Sequence, residues 1–207
     1  MGCGRLRCYK RAVDPDLVAD PWQLFDAWLA EAVAARLPHA DAFTLATVGL
    51  EGRPAARVVL YKGRSGPGLR FFTNYTSRKG RELEQVPFAA GVFYWPGVHR
   101  QVRFEGSIER LADAESDAYF ASRARESQLG AWASPQSQPI EKDALARCVE
   151  AERLRFEGKP VTRPPHWGGY RLTPSLIEFW LPHEHRLNER LEFRRDGGRW
   201  VRQGLAP

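Results

Sequence analysis

Cysteine is scarce: Cys3, Cys8 and Cys148 are the three in a chain of 207 residues. They are too few and too scattered for a disulfide framework, and no C-x-x-C pair accompanies them, so a reducing cytoplasm is the expected compartment. No cluster of His or Cys completes a site around Cys3 and Cys8, and no metal is expected. Nothing approaches the ~18 consecutive apolar residues that span a bilayer. Charged residues stand where a signal peptide would carry its apolar stretch, so neither a membrane nor a secreted protein is expected. The Walker loop, G-x-G-x-x-G, H-E-x-x-H and G-x-S-x-G are all missing, which removes the common nucleotide, zinc and serine-hydrolase signatures. Lysine is also rare. Lys10, Lys62, Lys79, Lys142 and Lys159 are the only ones among 31 cationic residues, an excess of arginine that fits a composition biased toward Arg, Ala, Gly and Pro.

What is present suffices for one sizeable core. Hydrophobic residues make up 43% and aromatics 12%, and one domain is expected over residues 20–207, after a loosely held arm over 1–19 that has mixed charge and no period. The net charge of +6 points first to nucleic acid and second to an anionic small molecule.

Asp20 is a cap and Pro21 a first helical residue. Trp22, Phe25, Trp28, Leu29, Ala32, Val33 and Leu37 then recur at spacings of three and four, predicting an amphipathic helix. From Ala42 short runs rich in Val, Phe, Tyr and Thr alternate with Gly, Pro and Asn, predicting strands at Phe43–Val48, Ala55–Tyr61, Leu69–Thr73, Ala89–Trp95 and Gln101–Leu111. Turns are expected at Leu50-Glu51-Gly52-Arg53 and Ser65-Gly66-Pro67-Gly68. Helices are expected after Thr76-Ser77, at Ala114–Ser122 with Asp113 as cap, and at Ile140–Glu157 with Leu145, Cys148, Val149 and Leu154 near one stripe. Further strands are Gly169–Leu172, Leu176–Trp180, Arg190–Arg194 and Arg199–Arg202, the last two joined as a hairpin through Asp196-Gly197-Gly198. Strands in runs, without βαβ alternation, argue for a mainly β fold: a closed or split antiparallel barrel with flanking helices.

The informative polar residues lie at strand ends. Arg57-Val-Val-Leu-Tyr-Lys62 puts Arg57, Val59 and Tyr61 on one strand face with Lys62 at the exit, although a solvated edge carries such charges equally well. Phe72-Thr73-Asn74-Tyr75-Thr76-Ser77-Arg78-Lys79 is a strand exit with hydroxyls and two adjacent cations at a helix start. A helix start favours acidic residues, so two cations there fit an anion between them, or else an ordinary surface turn. Tyr119 and Arg123 are one helical turn apart, and with Ser127 they form either a second phosphate site or a polar helix end. His183 and His185 sit on a loop without a third partner and read as solvated.

In order along the chain, R-V-V-L-Y-K, F-F-T-N-Y-T-S-R-K, R-Q-V-R-F-E-G, S-R-A-R-E-S-Q-L-G-A-W, Q-S, W-G-G-Y-R-L, I-E-F-W, E-H-R-L-N-E-R-L and a final L-A-P resemble the pyridoxamine/pyridoxine 5′-phosphate oxidase family from about Asp20 to Pro207. The resemblance implies an FMN-binding split barrel, an antiparallel Greek-key-type β-barrel that forms an obligate homodimer with two FMN sites at the subunit interface. Its C-terminal segment then serves dimerisation and substrate binding. It implies an oxidase that moves a hydride from C4′ of pyridoxine or pyridoxamine 5′-phosphate to flavin N5, giving pyridoxal 5′-phosphate, with dioxygen reduced to hydrogen peroxide. By the same likeness Arg57, Val58, Val59, Leu60, Tyr61, Lys62, Phe72, Thr73, Arg78, Lys79, Gln101, Gln136, Ser137, Trp180 and Arg190 contact FMN, with Arg78 and Lys79 near its phosphate. Lys62, Tyr119, Arg123 and Ser127 clamp the phosphate of the substrate, and Arg186 packs over its ring opposite the flavin.

Three departures stand out. Asn188 replaces a substrate-contacting histidine of the family's R-L-H-D-R motif. It hydrogen-bonds but does not titrate near neutrality, so it has no acid-base role and an altered rate or pH dependence is expected. The N-terminal arm has no clean match to the family's substrate-covering segment, with Arg7 and Tyr9 as candidates, and Ala124 replaces a usual proline. The rivals are a split-barrel flavin oxidase for another substrate, of the phenazine-pathway type, and a non-catalytic flavin- or heme-binding module. A nucleic-acid binder is the weakest, because the cations sit in separated motifs without an RNP-type aromatic pattern or a recognition helix.

Overall fold

Asp20 sits in extended backbone and accepts a hydrogen bond from the Trp22 amide at 3.1 Å, Pro21 follows, and α1 runs Pro21–Ala34. The cap satisfies an amide that has no partner inside the helix, and proline there loses none. The computed structural model describes residues 18–49 and 51–207, so Arg7, Tyr9 and most of the expected arm, together with Leu50 of the first turn, lie outside the described residues. After α1 come β1 (Ala42–Val48), β2 (Pro54–Leu60), β3 (Arg64–Ser65), β4 (Gly68–Asn74), α2 (Arg78–Gln85), β5 (Phe88–Trp95) and β6 (Arg100–Arg110). Then follow α3 (Asp113–Ala121), α4 (Arg125–Ala133), α5 (Ala144–Arg155), β7 (Trp167–Leu181), β8 (Glu189–Asp196) and β9 (Arg199–Leu205).

The chain divides into two compact units. The larger is built from Asp41–Phe93 and Arg103–Ser175, and its strands follow the order β2-β1-β5-β6-β7-β4-β3. β1 and β2 are antiparallel from Ala42↔Leu60 to Val48↔Pro54, and β4 pairs with β7 from Leu69↔Leu172 to Asn74↔Trp167. Their inward side chains make an aromatic core: Phe43 stacks on Phe93 at 5.0 Å and meets Phe71 edge-on at 6.0 Å, while Phe71 stacks on Tyr170 at 5.6 Å. A second cluster of Phe120, Leu129, Phe156, Val161 and Trp167 anchors α3 and α4. Buried aromatics of this kind dominate the apolar free energy of a domain this size.

The smaller unit holds α1, Tyr94–Val102 and Leu176–Pro207. Here the end of β7 pairs with β8 and β8 with β9, the hairpin turning through Gly197 and Gly198 at φ 52° and 85°. Both positions need the left-handed region that glycine enters without strain. Trp28 packs edge-on against Phe179 at 5.1 Å, and the buried Arg100 lies 5.0 Å from the Trp28 ring and pairs with Glu31 at 3.3 Å.

Four expectations are corrected. Asp113 is not a cap: Ala112 holds that position, and the Asp113 carboxylate pairs instead with Arg163 at 2.6 Å. The polar segment after Tyr119 is not one helix end: α3 stops at Ala121, Ser122–Ala124 form the junction, and Arg125–Gln128 already belong to a separate helix, α4. The helix expected at Ile140–Glu157 is the shorter α5 and buries none of its residues, because the anchor is Phe156 just past its end, packed on Trp132 at 5.7 Å. The two strands expected at Gly169–Leu172 and Leu176–Trp180 are one, β7, continuous through Pro174. A Cβ on Gly106 would lie 2.0 Å from the Thr173 carbonyl oxygen, so β6 approaches this stretch as only glycine permits. Among the described residues, no helix is long and apolar enough to cross a membrane.

Candidate functional site

The site of the larger unit grows from the exit of β4. The Asn74 side chain accepts hydrogen bonds from the Thr76 amide and hydroxyl at 2.8 and 2.7 Å, turning the chain, and Ser77 caps α2 by accepting from the Gly80 amide at 3.2 Å. A Cβ on Gly80 would stand 2.0 Å from the Tyr75 carbonyl oxygen, so this helix begins tightly against the strand exit only because residue 80 is glycine. Arg78 and Lys79 are thereby held at the helix N-terminus, where unpaired amides and the dipole favour an anion.

Two cavities meet at Lys79. The first, of about 380 Å3, is lined by Pro54, Ala55, Ala56, Arg57, Arg78, Lys79 and Ser137. The second, of about 320 Å3, is lined by Val58, Val59, Leu60, Lys62, Phe72, Thr73, Lys79, Tyr119, Arg123, Gln136 and Trp167. Lys79 Nζ donates to the Thr73 hydroxyl and to Gln136 Oε1, each at 3.1 Å, and Thr73 donates to the same Gln136 oxygen at 3.1 Å. Burial, and secondarily the Arg57 charge, lower the Lys79 pKa from the usual lysine range, with Glu82 opposing. The ammonium is therefore short of compensation where an anion would supply it.

At the far wall Phe72 stacks on Tyr119 at 3.9 Å and on Trp167 at 5.6 Å, and the Arg123 guanidinium lies 4.7 Å from the Trp167 ring centre. Arg123 Nη1 is buried and has no hydrogen-bond partner. Burial lowers the pKa of this arginine, with Tyr119 opposing. An orphaned guanidinium nitrogen in a cavity calls for an acceptor from a ligand. Lys62 at the mouth pairs with Asp41 at 2.8 Å.

Of the residues singled out from sequence, Arg57 through Leu60, Lys62, Phe72, Thr73, Arg78, Lys79, Tyr119, Arg123, Gln136 and Ser137 line these cavities. The Tyr61 ring packs edge-on against Phe93 at 6.0 Å. Ser127 is exposed in the first turn of α4, outside the lining of both cavities. Gln101, Trp180, Arg186, Asn188 and Arg190 belong to the smaller unit. There Arg190 makes a two-pronged pair with the buried Glu178 at 2.9 and 3.2 Å and stands opposite Trp180 in the β7–β8 register. That pairing raises its pKa. Asn188 accepts the His183 amide at 3.2 Å, and Arg186 is exposed with φ 62°.

Trp167 opens the W-G-G-Y-R-L motif without a role in the sequence, and Glu82 lies outside every motif. Glu82 reads as a solvated glutamate on a short polar helix, its one signal being the i,i+4 spacing from Arg78. In the fold it is fully buried and accepts from Thr47 at 2.6 Å, Arg57 at 2.7 Å and Arg78 at 2.8 Å. Burial alone would raise its pKa, but these three hydrogen bonds hold it below the usual carboxylate range. A group with a phosphate at one end and a hydrogen-bonding ring fits the donors of the two cavities, as FMN has.

An antiparallel sheet with helices packed on it and a two-cavity cationic site at its strand exits defines the class: an FMN-binding split barrel. The chain belongs to the pyridoxamine 5′-phosphate oxidase family, whose profile matches residues 29–158, and residues 167–207 match the pyridoxine 5′-phosphate oxidase C-terminal dimerisation region. It is 51% identical over 202 residues to the pyridoxine/pyridoxamine 5′-phosphate oxidase of Thermosynechococcus vestitus, covering 96% of this chain and 94% of the relative. It is 52% identical over 190 residues to the same-named protein of Verminephrobacter eiseniae, covering 91% and 89%. Among solved structures, PhzG from Burkholderia lata, bound to tetrahydrophenazine-1-carboxylic acid, superposes with a TM-score of 0.88 at 34% identity over 94% of this chain and 98% of that one. An FMN-binding protein from Nostoc punctiforme shares the fold at a TM-score of 0.71 and 22% identity, over 92% of this chain and all of that one.

Proposed function

We propose that this chain is an FMN-dependent oxidase that converts pyridoxamine 5′-phosphate and pyridoxine 5′-phosphate to pyridoxal 5′-phosphate, with dioxygen reduced to hydrogen peroxide, and that it works as a homodimer. The relatives near 50% identity that carry this name support the reading. The single observation that carries it in the structure is the buried, unpartnered Arg123 Nη1 in a cavity that Lys62 and Tyr119 also line.

FMN, when bound, supplies the ring that accepts the two electrons leaving C4′ and passes them to dioxygen. The chain's own part is to bind and orient. Arg57, Arg78, Lys79 and Ser137 hold the flavin phosphate by charge-assisted hydrogen bonds, while Thr73 and Gln136 fix the ring and Phe72 gives the site an apolar wall. Lys62, Tyr119 and Arg123, which share the second cavity, hold the phosphate of the vitamer, which sets its ring against the flavin and brings C4′ into reach, and Ser127 in the first turn of α4 keeps the phosphate-contacting role that the family likeness gives it. Gln101, Trp180, Arg186, Asn188 and Arg190 keep the flavin- and substrate-contacting roles that the family likeness gives them.

The likeness to PhzG at 34% identity favours a second reading, oxidation of a phenazine precursor on the same scaffold. Peroxide release separates the two. The first reading expects it with both phosphorylated vitamers and not with tetrahydrophenazine-1-carboxylic acid, and the reverse pattern overturns it.

A further inference from the structure

Two of the three cations at the first cavity converge on one carboxylate that the cavity does not expose. Arg57 comes from β2 and Arg78 from the start of α2, and both donate to Glu82, Arg57 at 2.7 Å to Oε2 and Arg78 at 2.8 Å to Oε1. Thr47 on β1 joins the same cluster, donating its hydroxyl to Glu82 Oε2 at 2.6 Å while accepting from Arg57. The Glu82 side chain has no exposed surface, whereas those of Arg57 and Arg78 keep 20% and 63%. A buried carboxylate therefore ties the strand cation to the helix cation from beneath and leaves their outer surfaces turned to the cavity. The charges match as well: Arg57, Arg78 and Lys79 against one carboxylate leave an excess of two positive charges, the complement of a phosphate monoester dianion.

We infer that Glu82 is the positioning residue of the flavin phosphate site, holding Arg57 and Arg78 at the spacing that a phosphate monoester bridges. The inference rests on the FMN reading above. Without Glu82, two like charges from different elements would have to be held together by the ligand alone, and the ordering cost would come out of the binding free energy. Glu82 itself does not touch the ligand. Its low pKa keeps it ionised, and so able to hold both arginines, throughout the neutral range.

The test is titration of the deflavinated full-length protein with FMN and, separately, with riboflavin, which has the same ring and no phosphate. Wild type is expected to bind FMN more tightly than riboflavin. Glu82→Gln is expected to lose FMN affinity about 10-fold or more, as for removal of a charge-assisted contact, with riboflavin affinity unchanged. Thr47→Val, which removes only the hydroxyl from the cluster, is expected to lose less in the same FMN-selective way and serves if Glu82→Gln does not fold. Unchanged FMN affinity in the variants, or an equal loss for both ligands, overturns the positioning role. Wild type that binds neither ligand overturns the FMN reading itself.

Discussion

The Arg123 guanidinium lies 4.7 Å from the centre of the Trp167 ring, with one nitrogen buried and unpartnered. The ring takes part of the cost of burying the charge and the ligand must take the rest. Arg123→Ala is expected to weaken binding of the phosphorylated vitamer by about 1.5–3 kcal/mol with FMN retained. Trp167→Leu is expected to cost less substrate affinity, about 0.5–2 kcal/mol for the cation–π contact, because the guanidinium stays; it also removes the ring contacts with Phe72 and Phe120 and so lowers stability as well. Substrate KM, with flavin content measured alongside, checks both.

Lys79 ties FMN binding to pH. Its pKa lies below the usual lysine range, so in the free protein it loses its proton at lower pH than an exposed lysine, and phosphate affinity falls as pH rises through that titration. Lys79→Met is expected to bind FMN more weakly at neutral pH and to lack this alkaline limb. The sign for stability is opposite: a lysine with a lowered folded pKa costs stability at neutral pH, so the flavin-free variant should unfold no earlier than wild type. Titrations across pH and thermal unfolding measure the two effects.

Glu82 contributes on the acid side. Its folded pKa is lowered, so its contribution to stability is present above the unfolded carboxyl pKa and is lost as pH falls through the folded value. Glu82→Gln is expected to be less stable than wild type at neutral pH and to show a flatter decline on acidification. Urea unfolding at a series of pH values below neutrality reads this directly.

Asn188 gives the smaller unit its own test. It accepts a backbone hydrogen bond from His183 and does not titrate. Asn188→His is expected to add a limb near pH ~6.5 to the profile of kcat/KM that wild type lacks.

Local chemistry was legible where one residue type decides the backbone. Asp20 with Pro21 starts α1, Ser77 caps α2, and Gly197-Gly198 turns the last hairpin. The two units were not legible because three of their four boundaries fall inside β5, β6 and β7, and the fourth, at Ala40–Asp41, lies in a short connection between α1 and β1. The stripe of α5 misled because Leu145 and Leu154 repeat at helical spacing yet stay exposed, while Phe156 beyond the helix does the packing. At the site, Arg57, Lys79 and Arg123 stood out as cations at strand and helix ends. Glu82 did not, since only the fold brings Thr47, Arg57 and Arg78 around one carboxylate.

The central claim is that two phosphates, one on the flavin and one on the substrate, bring C4′ against the ring. Anaerobic mixing of the flavin-loaded protein with pyridoxine 5′-phosphate or pyridoxamine 5′-phosphate, followed by flavin absorbance, tests it most directly. Rapid bleaching by both phosphorylated vitamers and little by pyridoxine lacking the phosphate is the expected result. Bleaching by neither phosphorylated vitamer, or equal bleaching with and without the phosphate, would contradict it.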